Sequence, residues 1–326
     1  MKAIKFFAIS AMAAAMITSC STDDELSQSN YPSDNIIRVT AGVNNAKTRA
    51  DGAGTEMKND FSLTIVNKNA SKYTYTDKVF SKSSGDWACS DTLLWQNSET
   101  TVDIAAFAPA QTGKFNGVYA EGSIQPITYS VADDQSTKSD NNDLLYYYAK
   151  DFNPGTSLVD KKLSIKFNHA FCMIDINVTL GTEFNKPEVL KESPIVKVTL
   201  GGTKIAANVD VKNAASVVTA SETDAATDIT TTKGSFDKAA NAEANAISHF
   251  SCIAIPQTVA ANTFKVSLMT AGKRYEWTSA EPVVLQSGYR YTLNLSMGND
   301  VVLLKGGSIT ATKWDEVTGL KPLETE

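Results

Sequence analysis

Short segments of alternating apolar and polar residues, separated by turn residues, constrain the fold of this chain most strongly. The cleanest runs from Tyr289 to Leu295, where every second side chain is apolar. Successive side chains of a strand point to opposite faces, so this pattern predicts strands with one buried face. Amphipathic helical patterns are scarce, and the short strands recur with turns roughly every 8–12 residues. We therefore predict an all-β fold built of β-sandwiches.

The length of the chain predicts two such domains. Its 326 residues leave about 300 once an N-terminal leader is removed, which is enough for two domains of ordinary size. Residues 150–161 contain Pro154, Gly155 and several charges, a composition typical of a connection. We therefore predict an N-terminal sandwich over residues 36–155 and a C-terminal sandwich over residues 156–326. After His169 the apolar positions change phase, which predicts a β-bulge within a continuous strand.

Residues 1–19 have the layout of a bacterial secretory signal peptide. Lys2 and Lys5 give it a positive start, and the apolar run from Phe6 to Ile17 is too short to remain in a membrane as a spanning helix. The residues that lead to Cys20 resemble a lipobox. In lipoproteins that cysteine becomes the mature N-terminus and carries fatty acyl chains such as palmitate, which hold the protein on a membrane. The alternative is an ordinary signal peptide that happens to contain a cysteine.

Residues 20–35 are predicted to be a polar, lipid-anchored linker. Its acidic stretch from Ser21 to Glu25 resembles the surface-export tag of Bacteroidota lipoproteins, and a merely solvated linker is the alternative. A strand from Ile37 to Val43 follows, with its odd-numbered apolar residues on one face. The next segment, residues 44–55, has turn residues and no hydrophobic period. It contains the Arg49-Ala50 bond and predicts an exposed loop, where proteases cut most readily.

Charge and composition argue against several classes of function. The formal net charge of -6 and the lack of long blocks of like charge argue against nucleic acid as a partner. The two histidines, His169 and His249, belong to no recognisable catalytic constellation, so the sequence predicts neither an enzyme nor a cofactor. The acidic stretches at residues 133–134 and 140–143 lack the spacing of a calcium-binding loop, and solvated turns are the better interpretation. No metal site is predicted.

Cysteines indicate little about function. If Cys20 is lipidated, then Cys89, Cys172 and Cys252 remain, and an odd number cannot all pair within one chain. Cys172 and Cys252 lie in apolar strand patterns and are predicted to be small buried core residues. A disulfide between these two is the alternative.

Several short motifs are spread along nearly the whole chain, and none is specific alone. They are the lipobox at Cys20, Lys47 to Ala50, Ala106 to Pro109, Asp143 to Tyr146, Ile165 to Phe171, Ile255 to Gln257, Ser287 to Leu293 and Ile309 to Trp314. In their order and spacing they together resemble the fimbrillin family, the lipoprotein-derived fimbrial subunits and related adhesins of Bacteroidota.

The resemblance implies two tandem transthyretin-like, Greek-key β-sandwiches and assembly by donor-strand exchange. An Arg-specific protease would cut at Arg49-Ala50, the first strand would leave, and a strand of a neighbouring subunit would fill the groove. Arg38 is the nearest rival site, but its strand pattern should protect it. The donor would come from Ile309–Trp314 or from residues 315–326, or this subunit would accept a strand without donating one. An exposed but uncut Arg49 is the alternative to cleavage.

The resemblance also implies where the protein acts and with what. The precursor would be lipid-anchored in the outer membrane at the cell surface, and the processed chain would belong to the fimbrium. Its partners would be other fimbrial subunits, of the same or related chains, with host or bacterial receptors or glycans as further partners. The rival hypothesis is a monomeric, surface-anchored glycan-binding lipoprotein. For that role Trp87, Trp95 or Trp277 would form a sugar-stacking platform, although tryptophans in a sandwich are more often core.

Overall fold

Most of the regular secondary structure in this chain is β-strand. The computed structural model describes residues 30–44, 57, 59–83, 85–110, 119–120, 123–137, 142–186, 188–304 and 309–314. Within these residues there are 24 strands, the short α-helix Pro154–Ser157 and the 3-10 turns Ser71–Tyr73 and Thr182–Asn185. The all-β prediction is confirmed. None of the described helices has the length and apolar character that a membrane span requires.

The first sheet closes on itself and contains strands from both sides of the helix. Its strands, in spatial order, are β1 (Val39–Val43), β10 (Leu163–His169), β9 (Leu145–Phe152), β5 (Val102–Ala108), β2 (Phe61–Val66), β3 (Tyr75–Ser83) and β4 (Asp86–Cys89). β1 and β10 are parallel, and the other neighbours are antiparallel. The N-terminal strand is therefore held by a strand that lies far from it in sequence.

Two larger sheets follow. One has the order β16 (Thr232–Asp237), β17 (Ile247–Ala254), β11 (Cys172–Leu180), β22 (Tyr289–Met297) and β23 (Val302–Leu304), with β24 (Thr310–Lys313) also on β22. The other has the order β15 (Ile229–Thr230), β12 (Ile195–Gly201), β19 (Lys265–Thr270) and β20 (Arg274–Thr278). The cleanest alternation of the sequence is β22, where Tyr291, Leu293, Leu295 and Met297 are buried and the residues between them are partly exposed. The predicted strand is thus confirmed with its predicted face.

Three small sheets complete the described fold. They are β14 (Val218–Ala220), β13 (Ala206–Val209) and β8 (Ile127–Ser130); β18 (Gln257–Val259) with β21 (Val283–Leu285); and β6 (Tyr119–Ala120) with β7 (Ser123–Ile124). The antiparallel pairing of β8 with β13 joins the first part of the chain to the second. The first and second parts of the chain are therefore joined by backbone hydrogen bonds as well as by packing in the core.

Strands β2 and β5 are buried on both faces, which explains their almost continuous apolar sequences. Ile104 and Ala106 of β5 point into the core of the closed sheet, whereas Ala105 and Phe107 point into the core shared by the later sheets. In β2, Leu63 belongs to the first of these cores. The two strands thus form a wall between the cores.

The change of phase after His169 has a different cause from the predicted bulge. β10 ends at His169 in the closed sheet, the chain bends at Ala170 and Phe171, and β11 begins at Cys172 in another sheet. The bulge prediction is therefore wrong: the apolar positions change phase because the chain passes from one core to the next. The division at residues 155/156 stays a prediction, but β10, which follows it, pairs with β1 and β9. Sheet partners thus favour a division at residues 170–171.

Candidate functional site at the first strand

β1 is bound along one full edge by β10. The two strands run parallel over five register positions, from Val39 opposite Leu163 to Val43 opposite Phe167. Beyond the strand, Asn44 N–H donates to the Phe167 carbonyl oxygen at 2.8 Å. The Asn44 side-chain amide also donates to Asn168 Oδ1 at 2.7 Å, across 124 residues of sequence. The ladder on this edge is continuous and entirely non-local.

The opposite edge of β1 is bound only at its start. In the described residues, β1 and β4 pair at one position, Val39 opposite Trp87. Just before the strand, Ile37 N–H donates to the Leu93 carbonyl oxygen at 2.9 Å, and Ile36 forms a bridge with Leu94. β1 is therefore anchored on two sides at its N-terminal end and on one side from Thr40 onward.

The inner face of β1 packs into the core of the closed sheet. Ile37, Val39 and Val43 are buried, Ala41 is partly buried, and Thr40 on the outer face is exposed. Burying an aliphatic side chain of this size contributes roughly 1.5–3 kcal/mol. Two such side chains in β1, with that of Ile37 just before it, make this segment a substantial part of its core, and its departure would expose an apolar groove.

The floor of this groove is aromatic. Phe61 of β2 is fully buried and lies edge-on to Phe167, with a centroid separation of 5.5 Å. It also stacks on Phe80 at 5.3 Å and meets Trp87 edge-on at 5.0 Å. These rings pack against one another, and none of them belongs to β1, so their arrangement does not depend on β1 alone. We call the surface under β1, lined by Phe61, Leu163, Ile165 and Phe167, the β1 groove.

The last described strand is bound differently. β24 pairs antiparallel with β22 at four positions, and its Thr310, Ala311 and Lys313 are exposed. Trp314 follows the strand and is buried, and its N–H donates to the Gly288 carbonyl oxygen at 2.6 Å. The predicted donor Ile309–Trp314 thus lies on the edge of its own sheet.

Trp314 is fixed by a side chain from the end of the closed sheet. Its ring stacks on His169, with centroids 4.0 Å apart and planes 6° from parallel. His169 Nδ1 in turn lies 2.9 Å from Asp143 Oδ2. His169 is therefore a packed residue, as an isolated histidine in a strand pattern suggests, and its partners are a carboxylate and an indole. No local pattern indicates this arrangement, because Asp143, His169 and Trp314 are distant from one another in the sequence.

The predicted processing residues Cys20, Arg49 and Ala50 lie outside the described residues, as do the C-terminal residues 315–326. Among the residues that are described, no three His, Cys, Asp or Glu side chains are grouped so as to hold a metal ion.

The three tryptophans of the rival sugar-platform hypothesis all contact core rings. Trp95 is buried and stacks on Phe152 at 6.0 Å. Trp87 meets Phe61 edge-on, and Trp277 meets Phe264 edge-on at 6.4 Å. Each of the three rings thus contributes to packing, and Trp87 and Trp277 are also partly exposed.

The cysteine predictions have a clear outcome. Cys172 and Cys252 are buried and free, which confirms their placement in the core and excludes the alternative disulfide. Burial in apolar surroundings raises the pKa of both thiols well above its usual range. Cys89 is partly buried and also free. The two buried thiols are therefore inert packing residues.

Comparison with known proteins identifies the family. The model of the fimbrillin-like family matches residues 48–314. No curated protein sequence matches the chain.

Solved structures share the fold at low sequence identity. A fimbrial protein from Bacteroides vulgatus aligns with a TM-score of 0.54 and 15% identity, covering 86% of this chain and 99% of that one. A candidate cell adhesion protein from Bacteroides uniformis gives 0.54 and 13%, covering 87% and 99%. The tip fimbrial protein Mfa3 from Porphyromonas gingivalis, truncated at its C-terminus, gives 0.50 and 10%, covering 86% and 99%. At these identities the likeness is one of fold.

Proposed function

Because the chain belongs to the fimbrillin-like family, we propose that it is a subunit or adhesin of cell-surface fimbriae that exchanges β1 for a strand of another subunit. The observation that carries this proposal is the way β1 is bound. Its inner face is apolar and buried, its ladder is complete on only one edge, and its partner strand β10 is non-local. A strand of this kind can leave while the strands that form its groove stay paired with one another.

The proposed maturation has two steps. Lipid attachment at Cys20 holds the precursor in the outer membrane at the cell surface. Cleavage at Arg49-Ala50 then separates residues 20–49, including β1, from the remainder of the chain. The released segment carries the lipid with it, so one cut both detaches the subunit from the membrane and vacates the β1 groove.

The vacated groove defines what can replace β1. It offers the backbone edge of β10 and an apolar floor, which are the two features that strand addition uses. The replacement must run parallel to β10 and place apolar side chains where Ile37, Val39 and Val43 were, with a small residue at the position of Ala41. An unfilled groove would leave an exposed sheet edge, which favours association with another chain.

We further propose that β24 of this chain is not the donor, and that the strand which fills the β1 groove is supplied by another chain. On the face that includes Ile309 and Ala311, the next residue is Lys313, so β24 carries fewer apolar residues in alternation than β1. β24 is also occupied in pairing with β22, and Trp314 holds its end. Other fimbrial subunits are therefore the expected partners. A structural subunit of this kind is expected to have no catalytic activity.

Mass spectrometry of the mature protein, taken from the outer surface of its host, tests the proposal. We expect an N-terminus at Ala50, with polymer ladders on mildly denaturing gels. An Arg49→Lys chain keeps the charge but lacks the arginine, so it should retain an acylated Cys20 and form no ladder. An acylated Cys20 on the natural chain, with the Arg49-Ala50 bond intact, would contradict donor-strand exchange. Saturable polysaccharide binding by that uncut chain would favour a monomeric glycan-binding lipoprotein.

A further inference from the structure

Arginine is rare in this chain, and the described arginines share one environment. Only four of the 30 Lys and Arg residues are arginines: Arg38, Arg49, Arg274 and Arg290. The three that the structure describes each lie in or beside a strand and form an ion pair with a carboxylate. We propose that the fold itself restricts an arginine-specific protease to Arg49, and that Asp34 protects Arg38. This inference rests on the proposed processing at Arg49.

The side chain of Arg38 is held by a preceding turn. Asn35 N–H donates to the Pro32 carbonyl oxygen at 3.1 Å, and Asn35 adopts a φ of 59°, which asparagine tolerates. This turn presents Asp34 to Arg38, whose Nη1 and Nη2 donate to the two carboxylate oxygens at 3.0 and 2.6 Å. The two-point contact fixes the guanidinium that a protease would have to take into its specificity pocket.

The peptide bond after Arg38 is protected by the sheet. The Arg38 carbonyl oxygen accepts the Leu163 N–H at 2.8 Å, and Val39 pairs with both Leu163 and Trp87. Proteases cut exposed, locally unfolded segments. A cut at Arg38 therefore requires the start of β1 to separate from both neighbouring strands, at the position where the described residues bind β1 on both edges.

The other two described arginines also lie in paired strands and form ion pairs. Arg274 lies in β20, and its Nη2 is 3.3 Å from Glu276 Oε2 and 3.0 Å from Ser267 Oγ. Arg290 lies in β22 between two paired strands and donates to Asp175. Arg290 is paired on both edges of its strand, whereas Arg274 lies on an edge strand that pairs with β19 alone, so the sheet protects Arg290 more firmly than Arg274.

The choice between Arg38 and Arg49 decides the fate of the β1 groove. A cut after Arg38 would remove the lipid but leave residues 39–43 joined to the mature chain, where they would continue to fill the groove. A cut after Arg49 removes β1 with the lipid. Protection of Arg38 is therefore what couples release from the membrane to opening of the groove.

The contribution of Asp34 should be measurable but small beside that of the ladder. Both side chains of the pair are about 44% exposed. Exposed ion pairs change an equilibrium by at most about fivefold. We therefore expect Asp34 to slow cleavage at Arg38 by roughly two- to fivefold, and the ladder to supply most of the protection.

The test uses the full chain with the substitution Arg49→Gln, treated with an arginine-specific endoprotease. Mass spectrometry of the intact chain measures the rate of cleavage at Arg38. Arg49→Gln should resist the protease, and Arg49→Gln with Asp34→Asn should be cut at Arg38 about two- to fivefold faster. Asp91→Asn is the matched control, because it removes an exposed ion pair of similar length, Lys78 to Asp91 at 2.6 Å, elsewhere on the closed sheet. It should leave the rate at Arg38 unchanged.

Equal Arg38 cleavage rates in the Asp34→Asn and Asp91→Asn chains would overturn the role of Asp34. Cleavage of the natural chain at Arg38 as fast as at Arg49 would overturn the protection by the fold. A lysine-specific endoprotease serves as a control for general resistance, since exposed turns contain Lys191 and Lys212, and it should cut readily. Failure of the host to cut at Arg49 would contradict the proposed processing, while the two rates measured in vitro would still decide this inference.

Discussion

The first and last described strands differ in what holds them. β1 is fixed by a row of apolar side chains and a non-local ladder, whereas β24 lies on a strand close in sequence and exposes most of its side chains. Val39 and Trp314 are equally buried, at 4% exposure, but Val39 is one of several anchors and Trp314 is the main anchor of its strand. A strand that buries several apolar side chains in succession leaves an apolar groove when it departs. A strand whose main buried anchor is one residue exposes little apolar surface. That difference is the reason we propose β1, and not β24, as the strand that is exchanged.

The largest effect is expected from the floor of the β1 groove. Phe167→Ala removes a fully buried ring that contacts Phe61 and lies opposite Val43. Truncation of a buried aromatic typically costs about 3–5 kcal/mol, because the lost contacts are joined by a cavity. We expect the free energy of unfolding to fall by that amount in denaturant titrations of the uncut chain. Thr312→Ala in β24 is the control, and a similar loss in both variants would contradict the comparison.

A smaller effect is expected from β1 itself. Val39→Ala removes two buried methyl groups from the point where β1 is bound on both edges. At roughly 0.8 kcal/mol for each, plus a small cavity, the free energy of unfolding should fall by about 2 kcal/mol. Thr40→Ala on the exposed face should change it by less than about 0.5 kcal/mol. Equal losses at positions 39 and 40 would mean that the inner face of β1 is not what holds the strand.

The alternation that predicts β1 could be found in the sequence, but its partner could not. Val39, Ala41 and Val43 mark a buried face because a strand has a period of two. Nothing in the local sequence states that the opposing residues are those of β10, since pairing between distant segments depends on the whole core. The change of phase after His169 shows the same limit: a bulge and a passage between sheets produce the same pattern, and only the sheet partners distinguish them.

The candidate site divides in the same way. The exposed position of Arg49 stays a prediction based on turn composition, because that loop lies outside the described residues. The strand pattern around Arg38 predicts its protection, and this stays a prediction; the Asp34 contact depends on a turn geometry that four residues of sequence do not specify. The stacking of Trp314 on His169 joins residues that follow different strands, and neither residue carries a local signal of the other.

Truncation of the C-terminal anchor should have a local effect. Trp314→Ala removes the ring that stacks on His169, so β24 would lose its buried anchor and keep its backbone pairs with β22 and contacts of mostly exposed side chains. A terminal strand of this kind opens without unfolding the rest of the chain. Hydrogen exchange should therefore show lost protection at Thr310 to Lys313, with about 1 kcal/mol or less of global destabilisation. Global destabilisation as large as that of Phe167→Ala would show that β24 belongs to the same cooperative unit as β1.

The smallest expected effect concerns the polar contact that precedes β1. Hydrogen bonds from Arg38 lower the pKa of Asp34 to about 2, from its ordinary value of 3.8. A carboxyl group whose pKa is lowered on folding stabilises the fold above its unfolded pKa, and this stabilisation is lost as the pH falls towards the folded pKa. The ion pair should therefore persist from neutral pH down to about pH 4 and disappear near pH 2. An NMR titration of the Asp34 carboxyl carbon should show this midpoint in the natural chain and one nearer 3.8 in Arg38→Gln. If both chains titrate at the same pH, Asp34 does not hold Arg38 in solution. β1 would then start without a polar contact, and the comparison with β24, which is anchored by an aromatic ring, would lose this difference.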